Sequence, residues 1–417
     1  MNPLRSFSAW LVSIMVLCAF AVNAGTPTVP FPGDVSPEFK VGYKVFTQPY
    51  SGSSTAGPVV IMQVWYPVNP AAVTPAHPRA AYELFFLPSD PYRDPTTGET
   101  KIGLSHVAPK LPSDRGALDG HTTALPVSDR GPFPLIVYAG GNGQFLDCLS
   151  YGGPEVWASH GFVVVAPHDN IGDGHRRLLG LGGTNDNRVS DRIIALGTTL
   201  DAMLAKNAAP ADAFFGTIDP GKIGIVGASL GGRTSLLRTL LDARIKAVGA
   251  IAPGTKDLTD EQLAQVTLPT MVVFATDDGL LKVDVAARAF TKTVTPEGKK
   301  FLVGLVGARH MSTGDACRMI SDWLHPLTPL MVDPTTLNKV IETLNKEGCR
   351  AAMPGEVALR LANLYFVSFF KVFLTGDGRY EPFLTQSYAK AHELSVHYFT
   401  SVKAVKDFLE AKVEKKQ

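Results

Sequence analysis

The 417-residue chain carries almost no net charge: 39 Lys and Arg stand against 38 Asp and Glu, a balance of +1. There is no basic surplus to suggest a nucleic-acid partner and no acidic block to suggest a disordered tail. Cysteine is scarce, at positions 18, 148, 317 and 349, and no spacing among these resembles a zinc site. The phosphate-loop pattern is absent. His392-Glu393 with His397 has the look of a metalloprotease helix, but residues five apart do not share a helical face. No internal repeat is visible, and no metal or organic cofactor is expected.

Long apolar runs are rare too. One follows Met1–Arg5: Phe7 to Val22 is almost continuously apolar, and Val22-Asn23-Ala24 then offers small residues for cleavage. This reads as a signal peptide over residues 1–24, with Gly25 first in the mature chain and a secreted or periplasmic destination. Leu17 is too bulky to make Cys18 a lipoprotein site. The other run, Val357 to Leu374, is interrupted by Arg360, Asn363 and Lys371. It is expected to be a buried helix over a sheet, without stable membrane insertion. Removing Cys18 leaves three cysteines in an oxidising compartment. Cys317 and Cys349 both lie in the last quarter of the chain and are the predicted disulfide, with Cys148 left as a thiol.

What the chain does have is an alternation of short apolar runs and helical stripes. Strands are predicted at Val41–Thr47, Val59–Tyr66, Leu135–Tyr138, Phe162–Ala166, Ile223–Val226, Ala247–Ala252, Met271–Ala275 and Phe301–Val306. Between them fall helices at Pro154–His160, at Val189–Leu204, and after Ser229. Thr259 and Gln262 have the spacing of a capping box. Such alternation implies right-handed crossovers and an α/β fold, a mostly parallel central sheet with helices on both faces. Residues 67–131 are rich in Pro, Asp, Ser and Gly, and read as a long irregular insertion with one short helix near Tyr82–Leu87. Residues 311–417 read as a helical C-terminal extension, with helices at Thr335–Lys346, Val357–Leu374 and within Val402–Lys412. Residues 25–417 are expected to form a single domain and a monomer.

The most informative stretch is Lys222 to Arg233, KIGIVGASLGGR. A buried strand runs into Gly227-Ala228-Ser229-Leu230-Gly231, and a helical stripe of Leu236, Leu237, Leu240 and Leu241 follows. A serine at a strand-to-helix turn, flanked by glycines two residues away on each side, is the nucleophile-elbow pattern. The tight turn leaves no room for flanking side chains. The helix N-terminus points N–H groups at any anion formed beside the hydroxyl.

A serine hydroxyl needs a base, and the base needs an acid to orient it. In elbow enzymes these follow in the order Ser, acid, His, each after a strand. Here a strand from Pro269 runs into Asp277 and Asp278, and a strand from Phe301 runs into His310. One of the two acids is expected to cap the stretch starting at Leu280 and the other to serve the histidine. Gly279, directly after Asp278, allows the sharp turn that would aim its carboxylate at the His310 loop. His168 and His175 are placed in a loop facing the site, as solvated groups or pocket wall.

These motifs, with Ala139-Gly140-Gly141 and the Ala158–Pro167 block, resemble the α/β-hydrolase superfamily over roughly Pro132 to His310. Within it the chain is similar to the secreted branch that holds dienelactone-hydrolase-like proteins, platelet-activating-factor acetylhydrolase and bacterial polyester hydrolases. It has Ser229 where dienelactone hydrolases proper carry cysteine, and Ala228 where lipase-like members usually carry histidine. The resemblance implies Ser229 as nucleophile, His310 as base and Asp278 as orienting acid. It also implies an oxyanion hole from the backbone N–H groups of Leu230 and Gly141.

The expected activity is hydrolysis of carboxylic esters through an acyl-enzyme, on a small-molecule, lipid or polyester substrate. An amidase or peptidase with the same triad is one alternative, and a non-catalytic hydrolase fold used for binding is another. The pocket walls are expected from residues 67–131 and the C-terminal helices.

Overall fold

The computed structural model describes residues 38–51, 59–113, 115–121, 125–142, 152–168, 179–181 and 189–414. The predicted signal peptide, Cys148 and His175 lie outside them. The described residues fall in one compact unit.

Fourteen strands are present among the described residues. Ten form one sheet: β1 (Lys40–Pro49), β2 (Val59–Val68), β7 (Leu118–Asp119), β8 (Phe133–Ala139), β9 (Val163–His168), β10 (Ile218–Ala228), β11 (Ile245–Ile251), β12 (Thr270–Ala275), β13 (Lys300–Leu305) and β14 (Val396–Phe399). Their spatial order is β14-β13-β12-β11-β10-β8-β9-β2-β1-β7. The run from β9 through β13 is parallel, while β2 joins β9 and β14 joins β13 antiparallel. The parallel strands are near-continuous hydrophobic runs, as a sheet covered on both faces demands.

Alternation along β10 shows how both faces are covered. Ile223 and Ile225 join a core that holds Leu196 and Leu200 of the Val189–Ala208 helix, Leu236 of the Leu230–Thr239 helix, and Phe290. Gly224, pointing the other way, faces the Gly355–Phe370 helix, and a Cβ there would come within 2.7 Å of the Phe370 ring. Gly249 of β11 makes the same room for Phe366. That helix and the five residues after it, Gly355–Thr375, are apolar and long enough to cross a membrane, yet here they are largely buried against the protein. Trp157 of the Gly152–Ser159 helix donates to Asn363 Oδ1 at 3.0 Å, locking two helices together on this face.

Three features differ from the sequence expectation. No helix forms at Tyr82–Leu87. Tyr82 instead ends the short strand β3 (Ala81–Tyr82), which pairs with β6 (Leu111–Pro112), while β4 (Pro91–Arg93) pairs with β5 (Thr100–Ile102). Tertiary partners decide this. The Tyr82 hydroxyl accepts from Trp65 and donates to Glu155, and Ser113 Oγ also reaches both Glu155 oxygens at 3.0 Å. Second, the C-terminal region is not purely helical, because β14 extends the sheet beside β13. Third, β9 runs on through Pro167 to His168, which is buried against Phe85 rather than set in a solvated loop. The predicted capping box at Thr259 and Gln262 is formed, and Cys317 is bonded to Cys349.

Candidate active site

The C-terminal ends of β8, β10, β12 and β13 converge at one edge of the sheet, where ligands bind in open α/β folds. Ser229 follows β10 with φ 54° and ψ −114°, a conformation that costs a non-glycine residue about 1–3 kcal/mol. Surrounding bonds hold it there. Its N–H donates to Ile251 O at 2.7 Å, and its own carbonyl accepts from Gly254 N at 3.1 Å. The flanking glycines are needed for space. A Cβ on Gly227 would overlap the Gly231 carbonyl, and a Cβ on Gly231 would overlap the Ala139 carbonyl. The second contact presses the start of the elbow helix against the end of β8, beside Gly140 and Gly141. Arg192 is buried there and donates to Gly140 O at 2.7 Å.

Asp278 and His310 arrive from the turns after β12 and β13. His310 Nδ1 lies 2.7 Å from Asp278 Oδ2, and His310 Nε2 lies 3.1 Å from Ser229 Oγ. A carboxylate can only accept, so Nδ1 carries the proton and Nε2 is left to accept from the serine hydroxyl. The imidazole and the carboxylate are 5% and 4% exposed, which keeps bulk water from competing for either bond. Asp278 Oδ1 accepts from the N–H groups of Leu280 and Leu281, at 2.8 and 2.7 Å. A single carboxylate therefore does both jobs that the sequence divided between two acids. Asp277 is exposed, and its side chain meets Thr276 Oγ1.

Two cavities open on Ser229 and His310. The smaller, about 30 Å³, is lined by Tyr138, Trp157, Ile251, Leu359 and Ala362. The larger, about 350 Å³, runs under the Thr335–Leu344 helix past Leu280, Thr336, Lys339, Val340 and Leu344. The C-terminal helices supply walls to both. Among the described lining residues none comes from 67–131, contrary to expectation; Tyr82 and Ser113 of that stretch hydrogen-bond Glu155 of the Gly152–Ser159 helix instead, and Pro109 O accepts from Trp323. No cluster of His, Cys, Asp or Glu suited to a metal occurs among the described residues. His397 lies in β14, and Glu393 is engaged by Arg360.

No sequence motif marks Glu347. It is 1% exposed and meets the loops that carry Asp278 and His310, accepting from Gly279 N and Met311 N. A signal was available: the buried face of its helix runs through Leu337, Ile341 and Leu344, and helical spacing carries that stripe on to Glu347. A carboxylate continuing an apolar stripe calls for a specific partner.

The parallel sheet and the serine at its sharp strand-to-helix turn define an α/β-hydrolase. Residues 113–325 match the model of the PET hydrolase-like family, and the chain belongs to that family of polyester hydrolases within the α/β-hydrolase superfamily. Membership implies a hydrolase acting on esters. No curated protein matches the chain. Ser229, Asp278 and His310 fall within the matched span, whereas the pocket helices Thr335–Leu344 and Gly355–Phe370 lie beyond it.

Proposed function

We propose that the protein is a secreted serine hydrolase that cleaves carboxylic esters through an acyl-enzyme. The observation that carries this reading is the unbroken relay from Asp278 Oδ2 through His310 to Ser229 Oγ at the strained turn. His310 Nε2 takes the serine proton as Ser229 Oγ attacks the ester carbonyl. The N–H groups of Leu230 and Gly141 receive the oxyanion, one such donor contributing about 3 kcal/mol in comparable sites. The imidazolium, steadied by Asp278, returns its proton to the leaving alcohol. Water then repeats the sequence on the acyl-enzyme and releases the acid. No step requires a metal or an organic cofactor.

The unequal cavities favour an ester with one compact side and one extended side. The family span favours a polyester or a fragment of one. The test is a panel of esters of increasing acyl length with a lactone and a polyester film. Turnover of at least one ester class supports the reading, and inactivity of the pure folded protein on every member contradicts it.

A further inference from the structure

Asp278 and His310 lie on separate loops, and the 2.7 Å contact between them depends on how those loops are held. Backbone bonds tie the loops near the sheet: Thr276 N to Leu305 O at 3.1 Å and Asp277 N to Ala308 O at 3.0 Å. Beyond these, Glu347 touches both. Its Oε2 accepts from Gly279 N, the residue after Asp278, at 3.0 Å. Its Oε1 faces Arg309 Nη1, the residue before His310, at 3.7 Å. Its backbone carbonyl accepts from Met311 N, the residue after His310, at 2.8 Å.

The fit around this carboxylate is close. A Cβ on Gly279 would overlap Glu347 Oε1, so the acid loop has a glycine where the carboxylate comes in. Gly348 packs against Ala316, where a Cβ would come within 2.6 Å of the alanine methyl. Cys349, two residues from Glu347, is bonded to Cys317, seven residues from His310. Glu347 lies on a π-helical turn, Asn345–Cys349, that continues the Thr335–Leu344 helix. A π turn shifts the residues after it around the helix axis, a device that recurs at functional sites.

We propose that Glu347 is a positioning residue, which clamps the Asp278 loop to the His310 loop so that carboxylate and imidazole stay aligned. The disulfide holds the clamp against the base loop. The C-terminal segment, outside the family span, thereby takes part in setting the geometry of the reacting groups. This rests on the triad reading above. Glu347 lines neither cavity, so its effect falls on turnover and not on substrate binding.

The test uses the full-length protein and a chromogenic short-chain ester, with active sites counted by fluorophosphonate labelling taken to completion. Glu347→Ala should lower kcat per labelled site by about 10²-fold, the cost of a misplacement near 1 Å, and leave KM unchanged. Glu347→Gln keeps an oxygen for the Gly279 amide and should recover most of kcat. A merely structural role would reduce the number of labelled sites and leave turnover at each one intact. Gly279→Ala displaces the same loop from the other side and should reproduce the kcat loss; it decides the matter if Glu347→Ala does not fold. Parental kcat per labelled site in whichever of these variants folds would overturn the proposal. Hydrolysis that survives Ser229→Ala would instead overturn the triad reading on which it depends.

Discussion

The Asp278 carboxylate divides its two oxygens between two tasks. Oδ2 meets His310 Nδ1, and Oδ1 accepts from the amides of Leu280 and Leu281, fixing the carboxylate in its own turn. Asparagine in its place would present an N–H₂ group to one of these partners and upset the histidine tautomer. Asp278→Asn should therefore lose activity by about 10⁴-fold, as in a comparable triad. Asp277, exposed and bonded to Thr276, should tolerate Asn with little change. Steady-state kinetics on the two purified variants separates the cases, and a reversal of the two results would move the third triad member to Asp277.

The elbow could be read from sequence because its causes are local. Gly227, Ser229 and Gly231 are spaced for one turn, with a strand before and a helix after. The choice between Asp277 and Asp278 depends on where a turn aims two adjacent side chains, which the order of elements does not encode. Glu347 acts across 68 residues on the Gly279 amide, a contact no short window contains. Tyr82 lies in a region of poor periodicity, and its conformation is set by Trp65 and Glu155, distant in sequence. β14 is only four residues long, too short to stand out beside the helices around it.

Gly231 carries a packing demand that can be measured. Its missing Cβ lets the elbow helix sit against the Ala139 and Gly140 carbonyls. Backbone on both sides leaves little to yield, so Gly231→Ala should destabilise the fold by about 3 kcal/mol. Urea unfolding gives the value directly, and a loss under about 1 kcal/mol would mean that the two segments are free to separate.

His160 introduces a pH dependence remote from the reacting groups. Burial, with Lys371 adding to it, lowers its pKa from 6.5 to about 4. Neither ring nitrogen has a hydrogen-bond partner among the described residues. The unfolded chain binds a proton there at a higher pH than the folded protein does. Stability from the neutral ring is thus complete above about pH 6.5 and is lost as pH falls toward 4, by up to about 3 kcal/mol. Denaturation midpoints measured across that window should fall with pH, and less steeply in His160→Phe. Equal slopes for the two proteins would mean that His160 does not contribute to this pH dependence.

The larger cavity should govern which esters are accepted. Val340 lies half-buried on its helical wall. Val340→Phe fills part of that space, and should raise KM for a bulky or chain-like ester by about tenfold with little effect on an acetyl ester. Parallel KM measurements on the two substrates check this. Equal effects on both would mean that the extended side of the substrate lies elsewhere.

Every step of the proposed reaction depends on Ser229 as nucleophile, held at its turn with its hydroxyl 3.1 Å from His310 Nε2. The most direct measurement is mass spectrometry of the protein after reaction with a fluorophosphonate, run beside ester hydrolysis for the parent and for Ser229→Ala. A nucleophilic Ser229 gives one adduct per chain, located on Ser229, and loss of both labelling and hydrolysis in the folded variant. An adduct on another residue, or hydrolysis that persists in Ser229→Ala, would contradict that role.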